Sequence, residues 1–424
     1  MSFYPVAVDG ELLDLSLFED GPLNERLQVA QNRRQVIHCH CHEGRGEPAP
    51  ASPLRLTPVR RGVDYHLRRD PDDADAHHAD CRHFTLSSCQ LAQIGLSTDA
   101  LRVSDEGELR INLDFGLGES GDRDIAAAIV QYHHPDGKTT QTRSRASLLG
   151  LLHLLWARAE LNRHDPRRRL SGPGPWERLR QVARHTVPNS MRSLSEHGLS
   201  SILLLPTNAT AEASEQARRN RAKLFEAHKK RRVMFACQLD PHLLEARNAG
   251  GFADLYPAFG VGLTVHGDLI TQMLEQHPSE RAALATGQAV IAIGVAKVWE
   301  RSRGRLAATV ERMALMGVTD RYIPVESSYW RALAEYLEAT GRSYMKPLKH
   351  DAADLVHPDF VLTDTPAQVA LEVYGMDTPD YLARKAEKQE LYAQRLPGRH
   401  WQWEALHERL EVAVRHLPAP MNRA

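Results

Sequence analysis

The sequence predicts a multidomain chain of mixed α/β (α+β) class, and three observations carry that prediction. The first is size: 424 residues, 42% of them hydrophobic, exceed what one core usually organises and supply material for several. The second is the alternation of short apolar runs with polar stretches of helical length through the middle and C-terminal parts of the chain. The third is a contrasting N-terminal region, rich in Gly, Pro, His and Cys, where strand signals dominate.

Taken in order, residues 1–30 read as an N-terminal leader with a short strand and helix. Residues 31–140 read as a β-rich, loop-rich zinc-binding module, in which Glu108-Leu109-Arg110-Ile111-Asn112-Leu113-Asp114 alternates as a half-buried strand does. Ser144 is placed to cap a helix whose Leu148, Leu151, Leu152, Leu155 and Trp156 form one buried stripe, a core face rather than a ligand box. Pro166 and Gly172-Pro173-Gly174-Pro175 punctuate the chain before the next helix. Residues 141–312 read as a central α/β region, with strands at 201–205, Val233 and 290–295 and a helix over 211–231. Gly294 and Gly304 form neither a Walker nor a dinucleotide pattern, and no Gly-Lys-Ser/Thr occurs, which argues against an ATPase. His266 and Asp268 resemble a metal pair, but nothing near them in sequence completes a site. Residues 313–417 form the last unit.

Charge and hydropathy narrow the class. The formal net charge of −1 argues against a surface coated in basic residues. The distribution is uneven, however. Arginine is dense over 143–184, including Arg167-Arg168-Arg169, and again from Arg218 to Arg232, whereas acids gather over 70–75. A basic face that holds a phosphate backbone is one reading; a solvated helix face is the other. The longest apolar runs, such as 289–296, fall far below the ~18–20 residues a bilayer crossing needs. Met1-Ser2-Phe3-Tyr4-Pro5 has neither the basic start nor the apolar core of a signal peptide, so a cytoplasmic location without membrane partners is expected.

An odd count of five cysteines speaks against a disulfide framework and leaves metal binding or simple burial. Cys39-His40-Cys41 and His77-His78-Ala79-Asp80-Cys81 are two short knuckles separated by a strand-rich insert, the layout a tetrahedral Zn²⁺ site requires when two loops supply thiolate and imidazole. The expected ligands are Cys39, Cys41, His77 and Cys81, with His78 as the alternative fourth. Four protein ligands leave no open position, so such a zinc is structural. The bland alternative is a chance Cys-x-Cys beside a surface tract of His38, His40 and His42. Cys89 and Cys237 read as ordinary small apolar residues.

The strongest chemical signal lies near the C-terminus. Pro358-Asp359-Phe360-Val361-Leu362 is followed by Leu371-Glu372-Val373-Tyr374-Gly375 and then by the polar helix that contains Tyr381, Lys385, Lys388 and Tyr392. Two strand-like runs each carry one carboxylate, and a lysine-bearing helix follows directly. Spacings of four, three and four residues put the two tyrosines and two lysines on one helix face. Mg²⁺ and Mn²⁺ favour such oxygen ligands, and a nearby ammonium can offset charge developing on a phosphate. Taken singly, Asp359 also fits a turn, Glu372 an edge-strand charge and the lysines a solvated helix face.

These residues resemble the PD-(D/E)XK nuclease superfamily over roughly the last quarter of the chain. The resemblance implies a restriction-endonuclease-like αβββαβ core, with Asp359 as the acid of the PD element and Glu372 as the acid of the (D/E)XK element. Tyr374 stands where that superfamily usually has its lysine. Some members carry the lysine on the following helix, which makes Lys385 and Lys388 the candidates, and several have an accessory acid on the preceding helix, which points to Glu326. A second resemblance covers more of the chain. Leu315-Met316-Gly317-Val318-Thr319, Tyr322-Ile323-Pro324-Val325-Glu326, Gly341-Arg342-Ser343-Tyr344-Met345-Lys346 and Val361-Leu362-Thr363-Asp364-Thr365 are similar to a family of uncharacterised bacterial proteins found on plasmids and integrative elements. Ser147-Leu148-Leu149-Gly150-Leu151-Leu152-His153-Leu154-Leu155-Trp156 and the Cys-x-Cys segment fit it too.

Together these readings lead to the expectation of a mobile-element-associated, metal-dependent nuclease, a hydrolase acting on DNA or alternatively RNA. Mg²⁺ or Mn²⁺ would be held by Asp359 and Glu372, and Zn²⁺ would be structural. The alternatives are a catalytically inactive nuclease-like module that holds DNA or an assembly, and a scaffold for protein partners.

Overall fold

A computed structural model of the chain describes residues 6–8, 11–13, 20–42, 53–61, 64–69, 77, 100–103, 109–118, 129–133, 139–143, 145–166, 174–189, 198–207, 211–246, 251–255, 259–348 and 358–421. It is a mixed α/β structure with several sheets. Its centre is a long hairpin, Val290–Ser302 paired antiparallel with Arg305–Gly317, which turns at Gly304 with φ +76°. A left-handed turn residue of this kind matches the twist of the flanking strands, and glycine adopts it without strain.

Alternation along the hairpin explains why both faces of its sheet are covered. Ile291, Ile293 and Val295 enter one core, while Val290, Ala292, Ala296 and Val298 enter the other. In the second strand the register passes from Val295↔Arg312 to Ala296↔Val310, so Glu311 is an inserted residue. This bulge lets Ala308 and Val310 share a face with Met313 and Leu315, although the parity changes between them. The complete sheet runs in the order Leu203–Leu204, Val233–Gln238, Val290–Ser302, Arg305–Gly317, Gly262–His266, Phe252–Asp254. Helices Leu148–Arg158 and Pro175–Arg184 supply one core; helices Ala211–Ala227, Gly267–Gln276 and Pro278–Ala285 supply the other. Gly294 lies opposite Phe235, and a Cβ there would collide with the Phe235 ring, so its role is close packing.

The apolar stripe of Leu148–Arg158 is buried as expected, but its cap is Ser147, whose Oγ accepts from the Gly150 N–H at 3.2 Å. Ser144 lies outside the described residues. Among the described residues from 33 to 143 only strands occur as regular elements. Five of the N-terminal strands form one sheet, ordered Glu11–Leu13, Val6–Val8, Ile37–Cys39, Leu54–Arg61, Asp64–Arg69, and helix Asp20–Asn32 packs Leu27 and Ala30 onto it. The expected leader is therefore part of the same sheet as the segment that follows it. All three sequence-based boundaries fall inside elements: 30/31 within Asp20–Asn32, 140/141 within Thr139–Arg143, and 312/313 within Arg305–Gly317.

The C-terminal sheet orders Arg163–His164, Tyr344–Met345, Phe360–Leu362, Val369–Tyr374 and His400–Glu404; only the last pair is parallel. Its edge strand thus comes from far upstream. Asn162 and Lys346 exchange two bonds at 2.8 Å, Lys346 N–H to Asn162 C=O and Asn162 Nδ2 to Lys346 C=O, which fixes this junction. Helix Ser328–Ala339, capped by Ser327 Oγ on the Trp330 N–H, buries Leu333, Ala334 and Leu337 against Phe360, Leu371, Val373 and Trp401. Helix Pro379–Arg395 lies over the opposite face, where its side chains bond Glu372, Gln402 and Glu404. In chain order this part reads helix, three strands, helix, strand.

Candidate active site

The site follows from strand parity. Val369, Leu371 and Val373 point into the apolar core, so Ala370, Glu372 and Tyr374 face the other way. Phe360 pairs with Leu371, and the ladder continues through the Asp359 N–H donating to the Leu371 carbonyl at 3.0 Å. By that register Asp359 stands across from Glu372 on the neighbouring strand. Both are buried, at 6% and 2% relative exposure. The parallel strand on the other side sets Gln402 beside Glu372 and Glu404 beside Tyr374.

The covering helix begins with Pro379 in its first turn, a position where the missing N–H costs nothing. Its expected polar face is aimed at the sheet. Lys388 Nζ donates to Glu372 Oε2 and the Tyr392 hydroxyl to Oε1, both at 2.6 Å. Lys385 Nζ donates to Glu404 at 2.6 Å and lies 4.7 Å from the Tyr374 ring centre. Tyr381 packs edge-on against Tyr374, and Gln389 donates to Gln402 at 2.8 Å. The Val373 N–H donates to Asp359 Oδ2 at 2.8 Å, and Asp359 Oδ1 takes no hydrogen bond among the described residues.

Burial, and then the charge of Asp359, push the Glu372 carboxyl up to about 7, against the opposing influence of Lys388 and Tyr392. Burial and then the Glu372 charge raise the phenols of Tyr374 and Tyr392, which keeps the Tyr392 O–H a donor. Two facing carboxylates that resist simultaneous ionisation form a local excess of negative charge, which a divalent cation would relieve. The donor set of hard oxygens therefore fits Mg²⁺ or Mn²⁺.

Glu326 stands apart in its contacts. It is exposed, precedes the Ser327 cap, and lies 3.9 Å from Lys346 Nζ. That lysine is buried over the Trp330 ring, 3.7 Å from its centre. Glu404, Gln402 and Gln389 have no role in the sequence-based expectation, and Tyr392 enters it only as a member of the helix face. The alternation in His400-Trp401-Gln402-Trp403-Glu404, with both tryptophans in the core, was the available signal for the two strand residues.

A family model described as "Protein of unknown function (DUF1173)" matches residues 18–405. The chain belongs to that family. No curated protein and no solved structure matches it.

Elsewhere in this DUF1173 member, several residues of the basic clusters pair with acids. Arg180 pairs with Glu177, Arg218 and Arg219 with Glu215, Arg231 with Glu226 and Arg232 with Glu311. The exposed contacts of Glu215 with Arg218 and Arg219 are of a kind that contributes only about 0–1 kcal/mol. Burial, and then the charges of Arg180, Arg219 and Arg184, push the Lys223 amine down to about 8 while it donates to the Leu203 carbonyl at 2.7 Å. Arg167, Arg168 and Arg169 lie outside the described residues.

Of the expected zinc ligands, Cys39, Cys41 and His77 come together, and Cys81 and His78 lie outside the described residues. Cys41 Sγ is 3.7 Å from His77 Nδ1, and the ligand atoms of all three lie within 4.8 Å of one another. Cys237 is buried far from this group in sequence, and burial pushes its thiol up to about 12, as an inert core cysteine requires. Among the described residues, no helix is long and apolar enough to cross a membrane.

Proposed function

We propose that the chain is a divalent-metal-dependent nuclease that hydrolyses phosphodiester bonds in DNA, acting in the cytoplasm on behalf of a mobile element. The observation that carries this reading is the cross-strand pair Asp359 and Glu372, buried together under a helix that delivers Lys388 to within 2.6 Å of Glu372. The order helix, three strands, helix, strand fits the core of the PD-(D/E)XK superfamily, with the lysine moved from the strand to the helix. Asp359 and Glu372 would hold Mg²⁺ or Mn²⁺. When bound, such an ion polarises the phosphate and acidifies a water.

The chain's own groups do the rest. The Val373 N–H fixes one Asp359 oxygen and leaves the other as a ligand. Tyr392 holds the Glu372 carboxylate in one orientation. Lys388 orients the attacking water and offsets negative charge developing on the phosphate. Lys385, engaged by Glu404 and the Tyr374 ring, is one step removed and secures the helix. Glu326 is an accessory acid at most, given its pairing with Lys346.

The test is to incubate metal-stripped protein with single-stranded and duplex DNA, and with RNA, with and without Mg²⁺ or Mn²⁺, beside Glu372→Ala. Metal-dependent cutting that the variant lacks supports the assignment. Salt-sensitive binding without cutting would overturn it in favour of an inactive DNA-holding or assembly module. Tyr374 at the usual lysine position is the observation that favours that second reading.

A further inference from the structure

Among the described residues, the N-terminal sheet has little apolar material to hold it. Its core consists of nine buried residues among those described, Cys39 and Cys41 included, and small cores of this kind usually need a staple. Cys39 ends the strand Ile37–Cys39, which is the middle strand of the five. Cys41 follows two residues later, and His77 comes from beyond the last strand of the sheet. All three are buried, Cys41 at 0% and His77 at 3% exposure.

The Cys41 to His77 separation is that of two ligands on one ion, and the ligand atoms of all three residues lie within 4.8 Å of one another. Zinc bonds of ≈ 2.3 Å to sulfur and ≈ 2.0–2.1 Å to nitrogen give a tetrahedral S···N edge of about 3.6 Å. The observed Cys41 Sγ to His77 Nδ1 separation is 3.7 Å. Soft thiolates with one imidazole select zinc over hard oxygen-seeking cations such as Mg²⁺. We propose that Cys39, Cys41 and His77, through its Nδ1, bind a structural Zn²⁺ that clamps His77 to the central strand of the N-terminal sheet. The inference is independent of the nuclease reading, because it concerns different ligands, a different metal and a different sheet.

The experiment uses the full chain. Elemental analysis should find one zinc per chain, and exchange for Co²⁺ should give tetrahedral ligand-field bands with thiolate-to-cobalt charge transfer. Cys41→Ser and His77→Ala should lose the metal. His77→Cys should keep it and strengthen the charge transfer, a result that a purely packing role for His77 does not produce. Removing zinc with a chelator should expose the N-terminal sheet to limited proteolysis while sparing the sheet that carries Glu372. Wild-type protein that is folded yet free of zinc and gives no cobalt spectrum would overturn the site. Unchanged proteolysis after zinc removal would overturn the clamp.

Discussion

Lys388 Nζ lies 2.6 Å from Glu372 Oε2, and this contact joins a helix to a strand whose own residue two places on from the glutamate is a tyrosine. The amine reaches the carboxylate from above the sheet, whereas Lys385, one helical turn earlier, is taken by Glu404. The two lysines of one helix face are thus chemically distinct. Lys388→Met is expected to lower metal-dependent cleavage by about 10²-fold or more, the usual scale for losing a group that acts in the transition state. Lys385→Met is expected to cost less than about 10-fold. Single-turnover cleavage of a labelled DNA checks both.

Asp359 is opposed by the like charge of Glu372 and held in place by a hydrogen bond from the Val373 N–H. Asp359→Asn keeps an acceptor for that N–H and is expected to abolish cleavage with little loss of stability. Asp359→Ala strands a buried donor as well, and should cost roughly 1–3 kcal/mol. Denaturant unfolding of the two variants side by side separates the effects; equal stability would show that the N–H finds another partner.

The raised Glu372 carboxyl makes a signed prediction about pH. Its value in the fold is about 7 against an ordinary 4.5. A carboxyl raised on folding favours the native state below its unfolded value, and that contribution is lost as pH rises through the folded value. Metal-free wild type should therefore lose stability relative to Glu372→Gln between about pH 4.5 and 7, by up to roughly 3 kcal/mol. Mg²⁺ affinity should rise with pH across the same window, since the ion binds the deprotonated form. Unfolding measured at both ends of the window, with and without Mg²⁺, tests the sign directly.

Gly294 faces Phe235 in the middle of the central sheet, where an added Cβ meets both that ring and the Arg312 carbonyl. Gly294→Ala should destabilise the protein by about 1–3 kcal/mol through overpacking, read as a lower thermal midpoint.

Cys81 is the fourth zinc ligand that the sequence spacing suggests, and it lies outside the described residues. If it completes the site, Cys81→Ser in cobalt-loaded protein should remove roughly a third of the charge-transfer intensity, because three thiolates become two. An unchanged band would assign the fourth position to another ligand.

The sequence alone determined those features that depend on neighbours a few residues apart. The alternation around Glu372, the 4-3-4 spacing of Tyr381, Lys385, Lys388 and Tyr392, and the leucine stripe from Leu148 to Trp156 are all short-range patterns, and each was readable because backbone geometry converts spacing directly into a face. The order of two acids followed by a basic helix was readable for the same reason. Tertiary structure decided which atoms meet. Only the strand register sets Asp359 opposite Glu372, and only helix docking sends Lys388 to Glu372 but Lys385 to Glu404. The edge strand Arg163–His164 joins Tyr344–Met345 from about 180 residues away, a pairing with no local signal because it is settled by long-range closure of the sheet. The position 312/313 lies inside the strand Arg305–Gly317, which runs unbroken because its hairpin partner Val290–Ser302 pairs along its whole length, a continuity that a shift in composition does not register.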